Sequence, residues 1–309
     1  MDVLVLSGGR GQRLEPSRKK IQSKFLPALN SYENQEGPKG LAMLHMGGQS
    51  RPLLDWHLSI YMNTASIRRI FLGLGFAAEM IRDYYQAAGG SFAGVPLEFL
   101  MENRPAGTIA PLVKLKQKYG LPESPLILAN GDNLLNLNFD EMYRALCEDP
   151  LIQKKGMENL VFDIIAPVPH EESGSYGVIE LDDTRRFARC FHEKQAWHKN
   201  PYVMADGAKK SYINTGFSLI PNPRAVLSSY ITPEIEEMVC CLENGEADYK
   251  ENESFVKYET MYEKIAASGC LAVVKYHGFW ADSGSEAQIA AIERATDAGH
   301  GLKSLPPKN

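Results

Sequence analysis

Along the first half of the chain, apolar residues fall into short unbroken runs separated by stretches where they recur every three or four positions. DVLVLS (2–7), RIFLGLGF (69–76), VPLEFLM (95–101) and SPLILANGDN (124–133) are such runs, the pattern of strands covered on both faces. PLLDWHLSIYMNT (52–64), AAEMIRDYYQAA (77–88) and TIAPLVKLKQKYG (108–120) carry the helical spacing. The alternation predicts βαβ units and an α/β fold, a mixed but mostly parallel central sheet flanked by helices. The second half is less regular. Strands are expected at 159–168, 175–181, 186–194, 212–220 and 270–276, and helices near 223–230, 232–243, 255–268 and 285–297, in a partly antiparallel arrangement.

No internal repeat and no Pro/Gly/Ser linker divides the chain, so residues 1–299 read as a single domain and 300–309 as a frayed tail. The polar stretches 30–40 and 243–254 read as surface loops. A length of 309 residues with 44% apolar and 23% charged side chains suits a large soluble core. No window approaches the roughly twenty apolar residues of a membrane span, and the start lacks the regions of a signal peptide, so the expected location is cytoplasmic. A net charge of −5 argues against nucleic acid and anionic membranes as partners. Cys147, Cys190, Cys240, Cys241 and Cys270 show neither zinc spacing nor disulfide density and read as free thiols, mostly in the core.

The first strand ends in SGGRGQRLEP. A glycine turn at the head of a parallel sheet is where backbone N–H groups converge on phosphates. The dinucleotide fingerprint fails because Leu14 stands where its third glycine is needed, and the Walker pattern fails because no G-K-[ST] follows. Ser7, Gly8, Gly9 and Gly11 would supply the flexible backbone and Arg13 the charge. Pro16 discourages a regular helix, so the segment reads as an extended loop suited to a triphosphate.

These residues resemble the G-G-x-G-x-R-L-x-P loop of the sugar-1-phosphate nucleotidylyltransferases, the nucleoside-diphosphate-sugar pyrophosphorylases such as mannose-1-phosphate guanylyltransferase and glucose-1-phosphate thymidylyltransferase. The resemblance implies a Rossmann-like fold of the GT-A type, with a nucleotide-binding half (1–135) and a sugar-phosphate-binding half (136–299). It also implies a Mg²⁺-dependent reaction of an NTP with a sugar 1-phosphate, giving an NDP-sugar and pyrophosphate. Arg13 and a loop lysine would neutralise the triphosphate. The lysine has two candidates, because the chain carries an insertion between Gly11 and Pro52. Lys24 lies near the usual separation but lacks the preceding proline, whereas Lys39 has it. Arg18, Lys19 and Lys20 form either a basic lid over the phosphates or a solvated run.

Further segments resemble the family in the same order. RPAGTIAPL (104–112) matches its second nucleotide segment, with Gly107 and Thr108 opening a helix against the base and Glu102 just ahead of it. A carboxylate there can accept from guanine N1–H and its amino group, whereas uracil and thymine present acceptors on both sides of N3–H; this favours GTP. Asp132 and Asp282 match the two metal-binding aspartates, and two carboxylates leave Mg²⁺ open to phosphate oxygens. Gly177 of the Y-G-V strand would let the sugar approach the backbone. Glu193 would take sugar hydroxyls, Lys194 the sugar phosphate, and the N-T-G strand with Asn214 and Thr215 the sugar.

HEKQAWH (192–198) is not the H-E-x-x-H zinc motif, since Ala196 occupies the position that needs histidine, and no zinc is expected. His170, His192 and His198 read as loop or strand residues. Two rivals stay open: cytidylyl or uridylyl transfer to a sugar or non-sugar phosphate, and a regulatory subunit that binds an NDP-sugar without turnover. A homo-oligomer is also open, as relatives often assemble.

Overall fold

The computed structural model describes residues 1–297; the tail expected after Gly299 lies outside them. Strands Asp2–Leu6, Arg69–Leu74, Val95–Met101 and Leu126–Asn130 run parallel, with Asp2–Leu6 between Arg69–Leu74 and Leu126–Asn130. Alternate side chains explain their unbroken apolar runs. Val3 and Val5 enter one core and Leu4 the other, and Ile70 and Leu72 part from Phe71 in the same way, because successive residues of a strand face opposite sides of the sheet.

From Leu126–Asn130 the sheet continues antiparallel through the long strand Ala208–Ile220, then Val178–Leu181 and Ala188–His192. Val161–Pro169 also pairs antiparallel with Ala208–Ile220 and carries Leu271–Lys275 parallel on its far side. Helices Leu53–Ser59, Ala78–Ala87, Ala110–Tyr119 and Tyr258–Ala267 cover the faces.

Several local features depart from the sequence reading. Helices Phe139–Glu148 and Pro150–Lys155 occupy a stretch given no element there. Their starts are capped by Asn138, accepting from the amides of Asp140 and Glu141, and Asp149, accepting from Leu151 and Ile152. Pro16 does not prevent a helix but opens a one-turn helix, Pro16–Lys19, from the first position, where its missing N–H costs nothing. Met43–Met46 and Gln49–Pro52 form a hairpin whose turn residues Gly47 and Gly48 both take positive φ, 55° and 73°. The cysteines are free, yet none is buried: Cys190 and Cys240 are exposed and the others half-buried. Among the described residues no helix is long and apolar enough to cross a membrane.

Candidate active site

Two cavities open beside the carboxyl ends of the parallel strands, where an α/β sheet collects ligands. The larger, about 1040 Å³, is lined by Ser7, Gly8, Gly9, Lys39, Glu102, Gly107, Thr108 and Asp132. The smaller, about 370 Å³, is lined by Arg13, Gly177, Glu193, Lys194, Asn214 and Asp282, and again by Asp132. Asn130, Asp132, Tyr258 and Glu259 border both, so the two spaces meet at Asp132. A third cavity, about 720 Å³ between Asn136, Met142 and Lys275, holds none of the residues singled out in the sequence.

The two candidate lysines occupy different surroundings. Lys39 Nζ lies 2.7 Å from Asp132 Oδ2 with its side chain almost wholly buried. Gly11 makes room for it: at φ +64° it has no Cβ, and one placed there would stand 2.8 Å from the Cβ of Lys39. Lys24 instead lies over the Phe25 ring, 4.7 Å from its centroid, and borders neither cavity. The reason is the path of the insertion. Residues 20–36 leave and return as a loop closed at its base, with Lys20 bridged to Glu36 and the Gly37 amide donating to Lys19 O. Ile21, Leu26 and Leu29 anchor the loop in the core, so Lys24 rides on its outer turn.

Two residues of the basic run are committed to ion pairs within the fold, while Lys20 is exposed. Arg18 pairs with Glu286 at 2.8 Å and Glu293 at 3.3 Å, pinning the C-terminal helix Glu286–Asp297. Lys19 is buried and pairs with Glu36 at 2.8 Å. Arg13 borders the smaller cavity rather than the larger, close enough to Gly284 that a Cβ there would be 2.6 Å from its guanidinium. Arg10 and Gln12 line the larger cavity instead, two residues that the sequence reading passed over.

Asp132 and Asp282, 150 residues apart, are joined by a two-stranded ribbon in which Asn133–Leu135 pairs antiparallel with Trp280–Asp282, Asp282 opposite Asn133. The Ser283 amide and hydroxyl both donate to Asp132 O, at 2.9 and 2.6 Å. Burial is the largest influence on Asp132 and works against its charge, but the Lys39 ammonium, with the Asp132 backbone amide and His57, brings the carboxyl below its ordinary range. Asp282 is pushed up by burial and by the charge of Asp132, against donations from the Gly284 amide and the Gln288 side chain. A carboxylate pair whose mutual repulsion only one ammonium offsets is a donor set suited to a hard divalent cation.

In the larger cavity Glu102 sits against Gly8, so close that a Cβ on Gly8 would be 3.4 Å from its Oε1. Burial, with Glu243 nearby, raises it to about 7, although the Ala106 amide donates to its Oε2 at 3.2 Å. Gly107 takes φ +92° and leaves no space for a Cβ, which would meet Val256 at 2.4 Å. Thr108 donates to Glu259 at 2.9 Å and accepts from the Tyr258 amide, tying this wall of the cavity to helix Tyr258–Ala267.

At the smaller cavity, Glu193 and Lys194 lie at the end of strand Ala188–His192, 3.7 Å apart, with the Glu193 carboxyl raised chiefly by burial. Gly177 gives way to Phe191, whose ring would be 2.5 Å from a Cβ, so its first duty is to admit that ring to the cavity wall. Asn214 borders the cavity, but Thr215 does not: it is fully buried and its hydroxyl donates to Ile164 O at 2.6 Å. Thr215 is therefore a strand-packing residue and not a sugar contact. His170 is buried in a turn, His192 lies on a strand and His198 in a short turn. Among the described residues the one trio of potential metal-ligand atoms within 4.8 Å of one another is Glu180, Cys190 and His192, outside both cavities.

The family model for nucleotidyl transferases matches residues 41–296. The chain belongs to the nucleotidyl transferase family. The match begins just past the glycine loop and its insertion, so the motifs of residues 1–40 stand apart from it. A D-glycero-alpha-D-manno-heptose 1-phosphate guanylyltransferase of Aneurinibacillus thermoaerophilus is 25% identical over 194 residues, 63% of this chain and 68% of that protein. The chain shares its fold with a UDP-glucose pyrophosphorylase solved with UDP-glucose (TM-score 0.60, 17% identity, 96% of this chain and 97% of that one). It shares it equally with a glucose-1-phosphate thymidylyltransferase assigned in Bacillus anthracis (TM-score 0.62, 16% identity, 99% and 97%). The family resembled by the motifs is thus a nucleotidyl transferase family, and the solved structures share the fold.

Proposed function

We propose that the protein transfers a nucleotidyl group, by preference guanylyl, from an NTP to a sugar 1-phosphate and releases pyrophosphate. The observation that carries this reading is the junction of the two cavities at Asp132 and Lys39, a large one with a glycine loop and a base-side carboxyl, a small one with a lysine and hydroxyl-binding groups. The sugar phosphate, already ionised near neutral pH, attacks the α-phosphorus in line, so no protein nucleophile is required. The work of the chain is to hold two anions together and stabilise the charge that develops. Lys194 holds the incoming phosphate, while the glycine-loop amides and Lys39 hold the NTP. Arg13, on the sugar side of the junction, reaches the anions from there. Asp132 and Asp282 would hold Mg²⁺, which supplies Lewis-acid stabilisation of phosphate oxygens.

The guanine preference rests on Glu102, a half-buried cavity carboxyl that accepts from the Ala106 amide and can take the donors that guanine N1–H and the 2-amino group would provide; the guanylyltransferase relative points the same way. With the carboxyl raised to about 7, its charged, strongly accepting form is lost as pH falls through 7. Pyrophosphate release across a panel of NTPs and sugar 1-phosphates should therefore show a preference for GTP over UTP in kcat/KM that shrinks from pH 8 to pH 6. In Glu102→Gln the preference should fall by about ten- to a hundredfold, the worth of a charged hydrogen bond, and lose its pH dependence. Equal use of GTP and UTP by the unaltered protein would refute the base assignment.

A further inference from the structure

Behind the sugar cavity lies a charged group that the proposed reaction does not use. Asp163, on strand Val161–Pro169, is fully buried. The neighbouring strand is irregular there: Asn214 pairs with Ile165 and Ser218 with Asp163, so residues 215–217 stand against Ile164 alone. Asp163 Oδ1 accepts from both ends of this bulge, from Asn214 Nδ2 at 2.7 Å and from Ser218 Oγ at 3.2 Å, and Ser218 accepts in turn from the Tyr262 hydroxyl at 2.6 Å. Inside the bulge the Gly216 amide, at φ +80°, donates to Asn214 Oδ1 at 2.7 Å. Among the described residues, Asp163 Oδ2 has no hydrogen-bond partner.

A carboxyl is an expensive way to close a bulge, since burying it costs several kcal/mol that a neutral acceptor would not. What it gains is one orientation of the Asn214 amide. With Nδ2 held by an acceptor that has no donor to offer and Oδ1 held by an N–H, a flipped amide would set oxygen against oxygen and N–H against N–H. One N–H and one lone pair of Asn214 remain for a ligand in the cavity it borders.

We propose that Asp163 is a positioning residue, which locks the Asn214 amide so that it donates to one hydroxyl of the sugar 1-phosphate and accepts from another. The inference rests on the sugar-phosphate reading above. It carries a pH signature. Burial raises Asp163 to about 7 against the donations of Asn214 and Ser218, and the neutral acid is a weaker acceptor with a proton that Oδ2 has nowhere to place. Helix Tyr258–Ala267 offers Tyr258 and Tyr262, phenols whose pKa burial raises further and which stay neutral. Strand Leu271–Lys275 sets Val273 beside Asp163, and its one charged residue, Lys275, lies over Tyr212. Sugar affinity should thus weaken as pH falls through 7.

The test compares Asp163→Asn, Asp163→Ala, Asn214→Ala and the double variant Asp163→Ala/Asn214→Ala with the unaltered enzyme, reading KM for each substrate. Asp163→Ala should raise KM for the sugar 1-phosphate about tenfold, or 1.4 kcal/mol, and leave KM for the NTP within about twofold. The double variant should be no worse than Asn214→Ala. Asp163→Asn, whose amide brings a donor beside its acceptor and so no longer excludes the flipped Asn214, should raise KM for the sugar 1-phosphate by less than Asp163→Ala does and lose the part of the pH dependence that the unaltered enzyme shows beyond the substrate's own ionisation. Equal shifts in both KM values, or additive losses in the double variant, would overturn the positioning role while leaving the reaction intact. Absence of any nucleotidyl transfer by the unaltered enzyme would remove the reading and the inference together.

Discussion

Asp132→Asn is expected to lower turnover by at least about a thousandfold, roughly 4 kcal/mol of transition-state stabilisation. The side chain stands where the two cavities meet and is paired there with Lys39, so it can act on both substrates at once, whereas Glu259, the other carboxyl that borders both, accepts from Thr108. Asparagine keeps its shape, and the turn it sits on is held through its backbone carbonyl by Ser283, so the lost charge is the only large change. Two consequences would separate this from damage to the fold. Lys39 loses its 2.7 Å partner, and Asp282, pushed up in part by the charge of Asp132, should titrate lower. Pyrophosphate release at saturating substrates, with a melting temperature within a few degrees of the unaltered protein, is the measurement. Activity within tenfold of the original would sink the assignment of Asp132.

Lys39→Ala and Lys24→Ala, made side by side, should differ by more than a hundredfold. Lys39 lies in the larger cavity beside Gly11 of the glycine loop, where its ammonium is the partner of Asp132 and would meet a triphosphate held by that loop. Removing it costs a charge-assisted contact in a partly dehydrated site, about 3 kcal/mol or more. Lys24 faces a ring on the outside of the inserted loop, and its loss should change kcat/KM by less than about twofold. A large loss from Lys24→Ala with an active Lys39→Ala would mean that the inserted loop folds over the substrate on binding.

How much of this could be read from the sequence depends on whether a feature is local. The parallel strands were legible because each is an unbroken apolar run, a direct consequence of two cores sharing one sheet. Asp132 and Asp282 were legible as strand-end acids, but only their ribbon pairing, set by 150 residues of intervening chain, shows that they are neighbours. Helix Phe139–Glu148 was missed although Asn138 followed by an acidic first turn is a start signal. The choice between Lys24 and Lys39 was not legible, because spacing from Arg13 favours one and the preceding proline the other, and it is the anchoring of Ile21 and Leu29 that gives them different surroundings. Thr215 looked like a ligand for its place in N-T-G, whereas the bulge around Gly216 turns it inward and leaves Asn214 and Gly216 bordering the cavity.

The central claim concerns which bond breaks. GTP labelled at its α-phosphorus in one reaction and at its γ-phosphorus in another, each supplied with Mg²⁺ and a panel of sugar 1-phosphates, tests it directly. The α label is expected in a nucleoside-diphosphate sugar and the γ label in pyrophosphate, in equal amounts. Release of the γ label as inorganic phosphate, its transfer to the sugar, or retention of both labels in GTP across the panel would contradict it.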